Sequence, residues 1–220
     1  MNRTRIKICG ITREEDLAQA VNVGADAVGF VFHPSSKRYV SPERAGELCR
    51  ALPPFVSSVA LFVNPQVGFV DEVVKAMSPS LLQFHGDEGA EFCASFGMPY
   101  LKAFRVGAPG LESSRQLAEH CAGYATAQGW LFDSFSPMYG GSGHGFDHAL
   151  LADVRALVGG RPLVLSGGLN AQNVQSAIMA TRAWAVDVSS GVEVSPGVKS
   201  PEKMAAFVSA VTKAHAESGF

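Results

Sequence analysis

The stretch Arg5-Ile6-Lys7-Ile8-Cys9-Gly10-Ile11-Thr12-Arg13-Glu14-Glu15 decides the fold. Arg5–Cys9 is a short, largely apolar run of strand character, and Thr12-Arg13-Glu14-Glu15 reads as a capping box at a helix start. A strand that leads within a few residues into a helix is the opening of a βα unit. The turn between them is Cys9-Gly10-Ile11-Thr12 and not the G-x-G-x-x-G of a dinucleotide-binding sheet, which leaves an open doubly wound sheet as the runner-up fold.

The same pattern recurs along the chain. Strand-like runs follow at 27–32, 58–63, 81–84, 100–104, 130–133, 163–166 and 185–188. Each is short and mostly continuous in apolar character, as expected of strands buried on both faces. Helical stripes lie between them: Val70, Val73, Val74 and Met77; Leu150, Leu151, Val154, Leu157 and Val158; Met204, Phe207, Val208 and Val211. These stripes are read as packing faces. Ser41-Pro42 and Ser200-Pro201 place a cap residue before a proline at the first helical position, and Asp147 and Asn170 are further cap candidates. Helices are also expected near 90–96 and 111–120. Eight units in 220 residues come to roughly 27 residues each, within the range of a (β/α)8 TIM barrel of typically ~250 residues. No composition break divides the chain, so residues 1–220 are expected to form a single α/β domain of the TIM-barrel class.

Composition narrows the function. With 47% hydrophobic and 17% charged residues and a net charge of −2, the chain has no basic excess for nucleic acid or an anionic membrane. No run approaches the ~18 apolar residues of a membrane span, and the N-terminus does not resemble a signal peptide, so a cytoplasmic location is expected. Cys9, Cys49, Cys93 and Cys121 form neither a C-x-x-C pair nor a disulfide framework. His144 and His148 stand four apart without an acidic or thiol cluster, so no metal site is expected. Trp130 and Trp184 are read as packing residues.

In a parallel barrel the active site lies at the C-terminal strand ends. Cys9 ends the first run and Arg38 follows the second. Asn64 ends the third, Gln83 and His85 bracket the end of the fourth, Arg105 follows the fifth and Asp133 ends the sixth. Glycine loops come last: Gly140-Gly141-Ser142-Gly143, Ser166-Gly167-Gly168, and Asp187 to Gly191, which includes Ser189 and Ser190. Glycines let backbone N–H groups converge on an anion, and loops after strands 7 and 8 of barrels often hold phosphate. The phosphate-binding half is therefore expected toward the C-terminus. A thiol at Cys9 and a carboxyl at Asp133 would flank a ligand anchored there, an arrangement suited to moving two protons. Taken singly, each has a plainer reading: Cys9 as a small core residue, Asp133 as a turn cap and Arg38 as half of a solvated charge pair.

Several segments together resemble the phosphoribosylanthranilate isomerase family. They are Lys7-Ile8-Cys9-Gly10-Ile11-Thr12, Gly24-Ala25-Asp26-Ala27-Val28-Gly29-Phe30-Val31-Phe32, Ser36-Lys37-Arg38-Tyr39-Val40-Ser41-Pro42, Leu82-Gln83-Phe84-His85-Gly86, Leu165-Ser166-Gly167-Gly168-Leu169-Asn170 and Val186-Asp187-Val188-Ser189-Ser190-Gly191-Val192-Glu193. The resemblance implies a TIM barrel of tryptophan biosynthesis that performs an Amadori rearrangement of N-(5-phosphoribosyl)anthranilate, with no cofactor, as a monomer or homodimer. It implies Cys9 as general base, Asp133 as general acid and Arg38 as the partner of the anthranilate carboxylate. Gln83, His85, Gly141, Gly143, Ser166, Gly167, Gly168, Asp187, Ser189, Ser190 and Gly191 would contact substrate. Such roles would need the Asp133 carboxyl raised and the Cys9 thiol lowered by a positive field. A histidine-pathway or dual-substrate phosphoribosyl isomerase on the same barrel, and an inert phosphate-ligand binding module, are the alternatives. The stretch 121–129 has no counterpart in this likeness.

Overall fold

A computed structural model describes residues 3–135, 145–157 and 161–218. The chain alternates strand and helix from its start: β1 (Arg5–Cys9), α1 (Glu14–Asn22), β2 (Ala27–Val31), α2 (Pro42–Arg50), β3 (Ser57–Phe62), α3 (Val67–Met77), β4 (Leu81–Phe84) and α4 (Ala90–Ala94). It continues through β5 (Tyr100–Val106), α5 (Ser114–Ala122), β6 (Gly129–Ser134), α6 (Ala152–Leu157), β7 (Leu163–Leu165), α7 (Val174–Thr181) and β8 (Ala185–Val188). A short antiparallel pair, β9 (Glu193–Ser195) and β10 (Val198–Lys199), precedes the long α8 (Pro201–Ser218). Strands β1 to β8 pair in parallel in chain order, and β8 returns to β1 to close a barrel. This is the (β/α)8 fold expected from the sequence.

Strand alternation divides the apolar residues between two cores. Outward-facing Ile6, Ile8, Phe30, Phe62, Phe84, Phe104 and Phe132 join the helices in the large outer core. Phe32, Phe62 and Phe84 stack at centroid separations of 5.5 and 6.0 Å, and Phe104 stacks on Phe132 at 5.7 Å. Inward-facing Leu101, Ala103, Leu131, Val164 and Ala185 plug the barrel from within.

The helix starts agree with the sequence in part. Ser41 and Ser200 accept hydrogen bonds from Arg44 N–H and Lys203 N–H ahead of Pro42 and Pro201, and Asp147 caps the 3-10 turn His148–Leu151. Thr12 does not cap α1. Its hydroxyl donates to the Gly197 carbonyl, so it ties the first loop to the β9–β10 turn. Asn170 caps the turn before α7 by accepting from Gln172 N–H and Asn173 N–H, and the helix itself starts at Val174. The stripe at 150–158 is broken into the 3-10 turn and α6, which leaves Leu157 56% exposed; Val158 lies outside the described residues. Trp184, read as a packing residue, is 45% exposed and stacks on the Arg5 guanidinium. The stretch 121–129 completes the outer core: Tyr124 is buried and its hydroxyl donates to the Glu88 carbonyl.

Leu131 is fully buried at the centre of the inner plug. Leu131→Ala should cost about 2–5 kcal/mol through lost burial and the cavity left behind, read as a lower urea midpoint at unchanged m-value.

Candidate active site

The ring order decides who meets whom at the barrel mouth. β1 and β6 are separated only by β7 and β8, and β3 stands opposite β7. Cys9 and Asp133 accordingly line one pocket, with the loops after β7 and β8 (Ser166, Gly167, Gly168, Ser189 and Ser190) filling the arc between them. Val31, Leu61 and Val63, from β2, β3 and the residue just beyond it, form an apolar wall that also packs on Cys9. Arg38, His85 and Asp187 complete the lining. Gln83, which is buried, and Gly191 do not line the pocket. Gly141 and Gly143 lie outside the described residues.

The glycines have separate reasons. Gly167 and Gly168 take φ values of +86° and +63°, a conformation that few side chains tolerate, and a Cβ on Gly167 would lie 2.6 Å from the Ser134 nitrogen and 3.0 Å from Asp133 Oδ1. At Gly191 a Cβ would lie 1.9 Å from the Leu169 carbonyl oxygen, so here glycine lets the loops after β7 and β8 touch. Gly191 is the middle residue of Ser190–Val192, a one-turn 3-10 helix at the place where a short extra helix commonly faces phosphate in barrels.

Arg38 and Asp187 join a charge network beneath the pocket whose other members, Lys7, Glu193 and Lys199, sequence reasoning did not assign to the site. Lys7 points inward two residues before Cys9, and its ammonium meets Asp187 at 2.9 Å. Its positive charge also acts on the Cys9 thiol. Glu193 receives the Arg38 fork at 2.8 and 2.7 Å and the fully buried Lys199 ammonium at 2.8 Å. Lys199 and the Ser189 hydroxyl both donate to the Cys9 carbonyl. The one signal for Lys7 was a charged residue at an inward position of an apolar strand. Glu193 and Lys199 carried no signal, because β9–β10 reaches the site only by folding back on the first loop.

These neighbours set the ionisation of the buried groups. Burial pushes the Cys9 thiol above its ordinary value, and the Asp187 charge adds to this; Lys7 and Lys199 act the other way without reversing it. The positive field expected from the sequence is present, but the expected lowering of the thiol is not found. Burial likewise raises Asp187 against the pull of Lys7. Burial works against charge on Glu193 too, but Arg38 and Lys199 hold it below the usual carboxylate range.

Asp133 is pinned on both oxygens. Oδ1 accepts from Ser134 N–H at 2.8 Å, and Oδ2 meets His85 Nε2 at 3.1 Å. His85 Nδ1 in turn meets the Gln83 amide nitrogen at 2.9 Å. Asn64 serves the scaffold: its side-chain oxygen accepts from Asp87 N–H at 2.7 Å, and Arg105 pairs with Asp87 at 2.8 Å. Among the described residues no three His, Cys, Asp or Glu side chains converge as metal ligands, and no helix is long and apolar enough to cross a membrane.

Two measurements test this geometry. A Cβ on Gly29 would lie 2.7 Å from Cys9 Sγ and 3.1 Å from Lys7 Nζ. Gly29→Ala should therefore displace the thiol and lower kcat by about 10²-fold with the fold retained by circular dichroism. Because the thiol is raised, its alkylation by iodoacetamide, followed at Cys9 by mass spectrometry, should still accelerate through pH 9; a plateau below pH 8 would contradict the assignment.

Comparison with known proteins identifies the family. The family model described as N-(5'phosphoribosyl)anthranilate (PRA) isomerase matches residues 6–210. A protein of Bordetella petrii named N-(5'-phosphoribosyl)anthranilate isomerase is 60% identical over 212 residues, 96% of each chain. One of the same name from Dechloromonas aromatica is 52% identical over 212 residues, 96% of this chain and 98% of that one. The crystal structure of phosphoribosyl anthranilate isomerase from Thermotoga maritima superposes with a TM-score of 0.86 at 42% identity, covering 96% of this chain and 99% of that one. Another isomerase structure, in complex with reduced 1-(o-carboxyphenylamino)-1-deoxyribulose 5-phosphate, gives a TM-score of 0.82 at 40% identity over 96% and 99% of the two chains. A third, a monomeric form of the dimeric Thermotoga maritima isomerase, gives 0.82 at 38% identity over the same shares. With its length matched almost throughout by relatives of one name, this chain belongs to the N-(5'-phosphoribosyl)anthranilate isomerase family.

Proposed function

We propose that this chain performs the family's Amadori rearrangement with Cys9 as general base and Asp133 as general acid. The observation that carries the reading is that the thiol and the carboxyl line one pocket although 124 residues separate them in the chain. The substrate is N-(5'-phosphoribosyl)anthranilate, and each part of it has a counterpart in the pocket. Its phosphate suits the glycine and serine loops after β7 and β8 and the start of the 3-10 helix at Ser190. Its aromatic ring suits the wall of Val31, Leu61 and Val63, and its carboxylate suits Arg38. The Arg38 fork is already oriented by Glu193 through Nε and Nη2, a pairing that does not use Nη1.

In this reading the Asp133 carboxyl gives its proton to the ribose ring oxygen. The C1′–O bond breaks with its electrons going to that oxygen, and the amine lone pair forms a C1′=N Schiff base. The Cys9 thiolate then removes the C2′ proton, and the electrons return through C1′=C2′ to nitrogen. The resulting enolamine loses its 2′-hydroxyl proton and gains one at C1′, which gives the ketone. Lys7 favours the thiolate by its charge, in opposition to burial. No step requires a cofactor.

We read residues 1–220 as one TIM-barrel domain, with the phosphate-binding half toward the C-terminus. A cytoplasmic enzyme, monomeric or homodimeric, fits a small-molecule substrate; the dimeric Thermotoga maritima relative supports the second state.

Cys9→Ser and Asp133→Asn should each lower turnover by about 10²–10⁴-fold while leaving the affinity for a reduced product analogue within a few-fold of the parent. Near-normal turnover in either variant rejects its assigned role. Growth of a tryptophan auxotroph blocked at this step should be restored by the parent chain and by neither variant.

A further inference from the structure

We infer that Gln83 and His85 form a tautomer lock that positions Asp133 and supports it as it gives up its proton. The inference rests on the reading of Asp133 as the general acid, but the observations behind it are separate. His85 sits just after β4 with its ring between two partners: Gln83 Nε2 at 2.9 Å from Nδ1, and Asp133 Oδ2 at 3.1 Å from Nε2. Gln83 is completely buried, and its side-chain oxygen has no hydrogen-bond partner.

A carboxamide nitrogen only donates, so His85 Nδ1 must accept and a neutral ring must carry its proton on Nε2. That N–H then donates to Asp133 Oδ2. Once Asp133 has given up its proton, a reversed Gln83 amide would put the neutral ring's proton on Nδ1 and set a bare Nε2 lone pair against a carboxylate oxygen at 3.1 Å. Contact with Asp133 therefore decides the orientation, and Gln83 holds the ring in the donating form.

The consequence lies on the reaction path. Oδ1 of Asp133 is already taken by Ser134 N–H at 2.8 Å and closed off by Gly167, so the proton to be donated sits on Oδ2. As it leaves for the ring oxygen, negative charge gathers on Oδ2, the atom that His85 Nε2–H touches. A hydrogen bond that strengthens as charge develops lowers the barrier without tightening substrate binding. In this scheme His85 keeps its Nε2 proton throughout and does not transfer it. It is a positioning residue in this scheme, and the roles of substrate contact implied by family likeness are not needed for either Gln83 or His85. Among the described residues, charged groups near this acid include Asp187 and its partner Lys7, which belong to the Cys9 side of the pocket, and Arg105, which stands beside Asp133 in the β5–β6 register and pairs with Asp87.

The test combines spectroscopy with kinetics. In the parent protein labelled with 15N-histidine, the His85 signals, assigned by their loss in His85→Gln, should show the Nε2–H tautomer at neutral pH. In Gln83→Met a mixture of tautomers should appear. His85→Leu should lower kcat by about 10–100-fold with KM changed less than about threefold. His85→Gln, which can place an amide N–H near the former Nε2, should recover kcat to within about fivefold of the parent. An Nδ1–H tautomer in the parent, or a His85→Leu variant with parental kcat, overturns the inference. So does a His85→Gln variant no better than His85→Leu while both retain the parental circular dichroism and melting temperature. Activity retained by Asp133→Asn would instead reject the acid role of Asp133, and the tautomer measurement would still stand.

Discussion

Closure of β8 onto β1 is the constraint on which the rest of the structure depends. The two strands pair in parallel from Arg5↔Ala185 to Ile8↔Val188, with Lys7 directly beside Asp187. That seam abolishes both sheet edges and fixes the inward set of residues on each strand, because a slip of one residue would turn every inward side chain outward. It also joins the beginning of the chain to its end. Cys9, at the tip of β1, thereby meets loops that follow β7 and β8. Without the seam the thiol, the carboxyl and the phosphate-type loops have no common surface.

The seam brings buried charge with it, and each of these charges has a partner before any ligand arrives. Lys7 pairs with Asp187, and Glu193 takes both Arg38 and Lys199. Three cations against two carboxylates leave a positive excess around the Cys9 backbone and sulfur. Burial still dominates the thiol, so the site keeps a protonated sulfur within reach of cations able to hold it as thiolate. The same network is structural. Lys199 ties the Cys9 carbonyl to Glu193, and the β9–β10 pair is thereby held against the first loop. Breaking one member would strand a buried charge, so the architecture and the chemistry are protected by the same bonds.

The two sides of the pocket are built differently for the same reason. Loops after β7 and β8 supply backbone groups and small hydroxyls, which can surround an anion closely only where glycine removes the side chain. Strands β2 and β3 supply branched aliphatic residues, which cover a flat ring without competing for its polar groups. Asp133 stands between, with one oxygen fixed by the backbone and the other by His85.

The sequence by itself determined the alternation of eight strands and helices, the closed barrel and the cluster of polar residues at one end of the strands. Those features rest on local periodicity and on short strand-to-helix turns, both written within a few residues of each other. Family likeness added the reaction. Local patterns misled where a distant contact outbid them: Thr12 bonds Gly197 and leaves α1 uncapped, and Trp184 stays at the surface against Arg5. Tertiary structure alone decided the pairing of Lys7 with Asp187 across 180 positions, the service of Glu193 and Lys199 to Cys9, and the raised thiol. These depend on burial and on charges brought close by closure of the ring. Coulombic and desolvation energies follow distance in space, which a one-dimensional pattern does not contain.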